Sequence, residues 1–97
     1  MALKFIWTKQ AVKGFNKVVD YLEAKWTAKE IINLENKIQQ VINQINLNPD
    51  QFPKSEKNKP LYKVIVDKNN YLVYSIDKES NIIIIINFRG TKQKPKN

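Results

Sequence analysis

The spacing of apolar side chains changes from a helical to a strand-like period near the middle of the chain. In the first half, apolar residues recur every three or four positions in two runs, Ala11 to Trp26 and Ile31 to Ile45, with charged and amide residues between them. This period places the apolar residues of each run on one face of a helix. Two amphipathic helices are therefore predicted, and the short link between them favours an antiparallel hairpin.

Capping residues predict where both helices begin. The β-branched and aromatic stretch LKFIW, residues 3 to 7, predicts an opening strand, and Thr8 directly after it is a suitable cap for the first helix. Thr27 and Glu30 have the spacing of a capping box, which predicts the start of the second helix. The second helix is expected to end before Pro49.

Beyond residue 60 the apolar period falls to two. Residues 61 to 66, 71 to 76 and 82 to 88 favour strands, and the polar turn segments between them predict an antiparallel meander. The isoleucines at 82 to 86 predict a central strand that is covered on both faces. Before the meander, the proline-containing segment from 48 to 60 predicts a loop that carries Phe52 back toward the core.

These elements predict an α+β fold. A short N-terminal strand and an antiparallel helical hairpin would pack on an antiparallel sheet of three to four strands. A chain of 97 residues is large enough for one such core, so a single domain over residues 1–97 is expected.

The composition excludes several kinds of chemistry. The chain has no cysteine and no histidine, which removes disulfides, thiol nucleophiles, imidazole catalysis and Cys/His zinc sites. Its two glycines form no phosphate loop, and its carboxylates lie apart from one another, so we expect no cofactor and no metal. Because no apolar run approaches the roughly 20 residues of a membrane helix and no signal peptide is evident, we expect a cytoplasmic protein without a membrane partner.

Positive charge is concentrated in the second half of the chain. The formal net charge is +8; residues 1 to 50 hold 7 basic and 5 acidic groups, whereas residues 51 to 97 hold 10 and 4. This excess favours an acidic or polyanionic partner. A lysine-rich composition is equally compatible with no binding role, so the position of the charges matters more than their number.

Basic and aromatic residues are the candidates for binding. Lysine and arginine offer donors to phosphate oxygens, and aromatic rings offer stacking faces to bases. A ribonuclease without histidine is also chemically possible, with the RNA 2′-hydroxyl as nucleophile, a lysine of lowered pKa as base and arginine stabilising the transition state. Tyrosines also suit strands without any binding role. The candidates are Lys54, Lys57, Lys59, Tyr62, Lys63, Tyr71, Tyr74, Arg89, Lys92, Lys94 and Lys96.

Four segments, taken in order, resemble the RelE/ParE superfamily of toxins from bacterial type II toxin-antitoxin systems. They are FIWTKQAVKGFNKVVDYL, NPDQFP, YKVIVDKNNYLVYSI and FRGTKQKPK, and together they extend over nearly the whole chain. The last is similar to the frequent ending of the family, an aromatic residue followed shortly by Arg-Gln-x-Pro-Lys. The resemblance implies a toxin that inhibits growth and a cognate antitoxin that neutralises it. Because the toxin is basic, we expect the antitoxin to be acidic and to add a helix in a groove or a strand at the sheet edge.

The resemblance implies one of two targets. RelE-like members cleave messenger RNA on the ribosome with several Lys and Arg residues and a C-terminal Tyr, whereas ParE-like members lack that set and poison DNA gyrase. In a metal-independent endoribonuclease of this kind, the matching catalytic residues would be Lys63, Tyr71 and Lys92. However, Tyr71 and Lys92 stand where the nuclease members commonly have Arg, and no Tyr follows Lys92.

These departures favour an inhibitor of gyrase, because without the Arg fork the stabilisation of a transition state should be weaker. The RelE-like nuclease, which would bind RNA, and an interaction module without toxicity remain the alternatives. Target binding is expected from the remaining candidates: Lys54, Lys57, Lys59, Tyr62, Tyr74, Arg89, Lys94 and Lys96.

Overall fold

The computed structural model describes residues 3–25, 27–53 and 61–90. It places a strand first, then two consecutive helices, then three consecutive strands, as the apolar periods predict. The elements are β1 (Lys4–Trp7), α1 (Lys9–Lys25), α2 (Ala28–Leu47), β2 (Tyr62–Asp67), β3 (Asn70–Asp77) and β4 (Ile82–Gly90).

The four strands form one sheet in the order β1-β4-β3-β2. The last three strands pair as the predicted antiparallel meander. β1 joins the sheet on the other side of β4 and runs parallel to it, with Lys4 opposite Ile82 and Trp7 opposite Ile85. The predicted α+β fold is confirmed, and the sheet is mostly antiparallel with one parallel pair at its edge.

The two predicted helix caps differ in the structure. The Thr8 hydroxyl oxygen accepts a hydrogen bond from the Ala11 backbone N–H at 3.1 Å, which satisfies one of the donors that a helix start leaves open. Thr27 also precedes its helix, but its hydroxyl donates to the Glu30 carboxylate at 3.1 Å and caps no backbone group. The helix therefore begins where the capping box predicts, without the reciprocal bonds of that motif.

Both helices pack on the same face of the sheet, α1 against β4 and α2 against β2. The alternate residues of the strands that point to this face join one apolar cluster with the inner faces of the helices. Phe52 packs against this cluster, as predicted for the loop. The buried apolar residues are Ala11, Val18, Leu34, Ile38, Val41, Ile45, Val64, Val66, Leu72, Tyr74, Ile83, Ile85 and Phe88.

The opposite side of the sheet, which neither α1 nor α2 covers, is called the open face below. In β4, Ile83 and Ile85 point to the helices and are fully buried. Ile82, Ile84 and Ile86 are only half-buried. The prediction that β4 is covered on both faces is therefore only partly right: the strand is central, but the helices cover one face of it.

Neither α1 nor α2 is apolar enough over its length to serve as a membrane span. Within residues 3–25, 27–53 and 61–90, no group of acidic side chains has the arrangement of a metal site.

Candidate functional site

The candidate residues divide into those inside and those outside the described ranges. The loop and tail lysines lie outside them: Lys54, Lys57, Lys59, Lys92, Lys94 and Lys96. The five candidates within β2, β3 and β4 are placed, and they fall on opposite sides of the sheet.

Three of these candidates come together on the open face. Tyr71 in β3 is paired directly with Arg89 in β4. Lys63 in β2 extends toward the same tyrosine, and its Nζ atom lies 4.4 Å from the centroid of the Tyr71 ring. At this distance an ammonium group is attracted to the face of the ring. Lys63 and Arg89 are exposed and Tyr71 is half-buried, so the group presents two cations beside an aromatic ring.

Ile65 belongs to the same surface, although sequence reasoning did not select it. It is the direct partner of Tyr71 on β2, opposite the side from which Arg89 pairs. Its side chain is 57% exposed, so it adds an aliphatic surface beside the Tyr71 ring. The signal was present in the sequence, because strand alternation puts Ile65 on the same face as Lys63. We call Lys63, Ile65, Tyr71 and Arg89 the open-face cluster.

Tyr74 lies on the other side of the sheet, in the core. It is 0% exposed, and its hydroxyl donates a hydrogen bond of 2.6 Å to the backbone carbonyl of Pro49. Burial raises the pKa of the Tyr74 phenol well above its ordinary value, and the nearby Tyr62 and Asp50 raise it further. The Tyr74 side chain, predicted to bind the target, therefore has no exposed surface in this structure and lies apart from the open-face cluster.

Tyr62 also lies on the core side. Its ring stacks on that of Tyr74, with centroids 5.2 Å apart and planes 15° from parallel. Its hydroxyl donates to the Asp50 carboxylate at 3.4 Å. The Phe52 ring is nearly perpendicular to that of Tyr74, with their centroids 6.4 Å apart. Tyr62 is therefore separated from the open-face cluster and helps to hold the loop after α2 against the sheet.

The two acidic residues of the described strands, Asp67 and Asp77, accept hydrogen bonds at the turns of the sheet. Asp67 accepts hydrogen bonds from the Asn69 backbone N–H at 2.8 Å and from the Asn70 carboxamide at 3.0 Å. Asp77 accepts from the Ser80 backbone N–H at 3.3 Å. Both carboxylates thus stabilise turns. Among the described residues of the sheet, the centre of the open face carries cations and no acid.

A cleft of about 470 Å³ lies on the helix side, between the hairpin and the turn that joins β2 to β3. Its floor is apolar, with Val18, Leu22 and Leu34, and Asp67 and Lys37 are among its polar lining residues. Gly90, which follows Arg89, also lines it. The cleft and the open-face cluster therefore lie on opposite sides of the sheet and come close where Asn70 and Gly90, which line the cleft, adjoin Tyr71 and Arg89.

The open-face cluster carries groups suited to binding anions and apolar side chains. Two cations can pair with carboxylates or phosphates, and Tyr71 and Ile65 offer an aromatic and an aliphatic surface between them. A partner that combines negative charge with apolar side chains would match this surface. Of the residues expected to catalyse RNA cleavage, Lys63 and Tyr71 interact with one another, and Lys92 lies outside the described ranges.

A comparison with protein families gives a match over residues 5–95. The matching family is described as the ParE toxin of the type II toxin-antitoxin system, parDE. A search of curated protein sequences found no significant match.

Solved structures with the same fold include toxins and toxin-antitoxin systems. The chromosomal ParDE system from P. aeruginosa has a TM-score of 0.74 and 9% identity, covering 94% of this chain and 98% of that one. The isolated E. coli RelE toxin gives 0.67 and 14%, covering 97% and 89%. The YoeB-YefM complex from Staphylococcus aureus gives 0.62 and 19%, covering 92% and 97%. Because each identity is low, these likenesses establish the fold alone.

Proposed function

Since the family model matches residues 5–95, the chain belongs to the ParE toxin family of type II toxin-antitoxin systems, and we propose that it is a cytoplasmic inhibitor of DNA gyrase that a cognate antitoxin neutralises. The observation that supports this most is the composition of the open-face cluster. Tyr71 stands at its centre, between Ile65 and Arg89 and under the Lys63 ammonium group.

This arrangement suits binding to a protein better than phosphoryl chemistry. An RNA-cleaving site needs donors aimed at the phosphate in the transition state, and the fixed fork of arginine is the side chain best shaped for that. At the centre of the cluster, where the nuclease members commonly have Arg, this chain has a tyrosine whose ring is engaged by Lys63. Tyrosine and arginine are instead enriched in protein interfaces and among the residues that contribute most to binding there.

The antitoxin is proposed to cover the same surface and so to block access of the target. Structures with this fold include toxin-antitoxin complexes, such as RelBE2 from Mycobacterium tuberculosis. For this chain, the net charge of +8 favours an acidic antitoxin. Apolar side chains of that antitoxin would contact Ile65 and Tyr71, and its carboxylates would pair with Lys63 and Arg89.

Controlled expression in a bacterial host, with and without the neighbouring reading frame, tests the proposal. Growth, the DNA-damage response and the integrity of messages are followed together, and purified protein is added to a gyrase supercoiling assay. We expect growth arrest, a damage response, intact messages and inhibited supercoiling, all reversed by the neighbouring product. Ribosome-dependent cleavage of messages would support the RelE-like nuclease instead, and absence of arrest would leave an interaction module.

A pair of double variants tests the site. Arg89→Ala with Lys92→Ala removes two positive charges from the end of β4 and the tail, and we expect it to abolish toxicity without unfolding the protein. Lys17→Ala with Lys29→Ala removes the same charge from exposed positions on the helices and should leave toxicity intact. Full toxicity of a folded Arg89/Lys92 variant would contradict the site assignment, and equal losses in both variants would indicate a general effect of net charge.

A further inference from the structure

β4 contains an irregularity just before the residue that it contributes to the open-face cluster. Val73 pairs with Asn87 and the next residue, Tyr74, pairs with Ile85, so Ile86 has no partner on β3. One extra residue opposite a regular strand is a β-bulge, and it changes which side chains point to which face. Bulges are common next to functional sites, where they redirect a side chain.

The bulge decides on which face Arg89 lies. Before it, the buried positions of β4 are two apart, at Ile83 and Ile85; the next buried position is three further on, at Phe88. Uninterrupted alternation from Ile85 would point residue 87 into the core and Phe88 outward. With the bulge, Phe88 enters the core and Arg89 reaches the open face opposite Tyr71.

The start of α1 supplies the donors that the bulge requires. β1 pairs with β4 only as far as Ile85, where the chain turns from Trp7 into the helix. Thr8 continues the ladder, since its backbone N–H donates to the Ile85 carbonyl at 3.1 Å. Its hydroxyl lies 3.1 Å from the same carbonyl and 3.0 Å from that of Ile86, so it can donate to either. A single threonine therefore caps the helix and donates hydrogen bonds to the carbonyls at the bulge.

Two further residues of α1 hold the part of β4 beyond the bulge. The Gln10 carboxamide donates to the Asn87 side-chain oxygen at 2.9 Å. Gly14 lies directly against the backbone of Phe88, where a Cβ atom would come within 2.0 Å of the carbonyl oxygen. The first two turns of α1 thus contact residues 85 to 88 in succession and leave the open face free.

We propose that Thr8 is a positioning residue for the target site: by holding the bulge of β4 from the helix side, it fixes Arg89 beside Tyr71 on the open face. The inference rests on the proposed function only insofar as Arg89 contacts the target. Thr8 itself lies outside the open-face cluster. Its effect passes through β4, because the carbonyls that it serves belong to residues that immediately precede Asn87 and Phe88.

Amide hydrogen exchange tests whether Thr8 holds the bulge of β4 in the free protein, where no target or antitoxin is needed. Thr8→Val keeps the shape of the side chain and removes its hydroxyl. We expect amide exchange at Phe88 and Arg89 to accelerate about tenfold relative to Ile83. A carbonyl at the bulge that has lost its hydrogen-bond donor favours local opening of the strand beyond it. Thr8→Ser, which restores a hydroxyl, should return the ratio to that of the unsubstituted protein.

Thr27→Val is the matched control, since Thr27 stands at the start of the other helix and bonds only to Glu30 among the described side chains. It should leave the ratio of exchange rates unchanged. If Thr8→Val instead accelerates exchange uniformly along β4, or not at all, Thr8 is only a helix cap and the proposal is wrong.

Toxicity of the same variants separates this inference from the proposed function. At matched levels of folded protein, Thr8→Val should need several-fold more inducer for growth arrest, whereas Thr8→Ser and Thr27→Val should not. A changed exchange ratio with full toxicity would support the role of Thr8 in holding the bulge but contradict the role of Arg89 in binding the target. An unchanged ratio would contradict the role of Thr8, whether or not the protein is toxic.

Discussion

The Nζ atom of Lys63 lies 4.4 Å from the centroid of the Tyr71 ring, on the face of the sheet that the helices leave open. The contact joins neighbouring strands, and Arg89 approaches the same tyrosine from the third strand of the meander. A cation on a ring face at an exposed site contributes about 0.5–1 kcal/mol. This is enough to hold the ring in a preferred position, but a partner can still displace the ammonium group.

Replacement of this ammonium group should weaken toxicity more than stability. Lys63→Met keeps the aliphatic stem but removes the charge, and we expect the inducer concentration required for growth arrest to rise by about three- to tenfold. The free energy of unfolding should change by less than about 1 kcal/mol, because the position is exposed. Lys78→Met, in the turn between β3 and β4, is the control of equal charge. Equal effects at the two positions would exclude a specific role for Lys63.

Gly14 is the position where the helix comes closest to the sheet. In most helices, Gly→Ala stabilises by about 1 kcal/mol. At Gly14 the added Cβ would lie 2.0 Å from the Phe88 carbonyl oxygen, so α1 must move away from β4. We expect Gly14→Ala to lower the free energy of unfolding by about 1–3 kcal/mol in urea denaturation.

Asn16→Ala provides the comparison for this variant, since it lies in the same helix at an exposed position and should be neutral or slightly stabilising. A Gly14→Ala protein as stable as the unsubstituted one would show that the helix can shift at no cost. In that case the close packing of Gly14 against Phe88 would contribute nothing to the free energy of unfolding.

The parts of the fold that sequence reasoning predicted are those governed by local periodicity. The apolar face of each helix and the alternation of apolar residues in the meander depend only on which side of an element is apolar. Strand alternation also could have separated Tyr71 from Tyr74, since residues three apart in a regular strand point to opposite faces. Selecting tyrosines by residue type rather than by position grouped the buried Tyr74 with residues of the open face.

Other features depend on contacts between distant parts of the chain. The parallel pairing of β1 with β4 joins residues such as Lys4 and Ile82, and no local pattern reports it. The bulge at Ile86 falls within five consecutive isoleucines, where alternation gives no signal of the change of face. The close approach at Gly14 was likewise visible only as a weak position in a helix, although packing against Phe88 explains why glycine occupies it.

The buried phenol of Tyr74 should make stability depend on alkaline pH. Its pKa is raised in the folded state, so above about pH 10, the ordinary pKa of tyrosine, the unfolded chain loses this proton while the folded chain keeps it. The contribution is therefore fully present below pH 10 and is lost as the pH rises above it. The measurement is urea denaturation of the unsubstituted protein and of Tyr74→Phe between pH 7 and pH 11.

Tyr74→Phe should cost about 1–2 kcal/mol at neutral pH, since it removes the hydrogen bond to the Pro49 carbonyl. All other ionisable groups are common to both proteins, so the difference between the two curves isolates Tyr74. We expect this difference to shrink above pH 10. Tyr21→Phe, on the exposed side of α1, should reproduce the unsubstituted curve; a constant difference for Tyr74→Phe would contradict the assigned direction of the shift.

Two isoleucines with nearly equal exposure distinguish the open face from the helical surface as the site of the antitoxin. Ile65 on β2 is 57% exposed and Ile32 on α2 is 55% exposed. Ile65→Asp places a carboxylate beside Tyr71, where it would repel an acidic antitoxin and remove an apolar contact. Ile32→Asp makes the same chemical change on the helix. Because both side chains are largely exposed, each variant should remain folded, with a stability change of about 1 kcal/mol or less.

We expect Ile65→Asp to raise the Kd for the product of the neighbouring reading frame at least about tenfold, as substitution near the centre of an interface does, whereas Ile32→Asp should leave it within about twofold. Isothermal titration calorimetry at constant ionic strength measures both values. The reverse result would place the antitoxin on α2, away from Tyr71. Neutralisation would then have to act without covering the open-face cluster, and the proposed competition between antitoxin and target would be wrong.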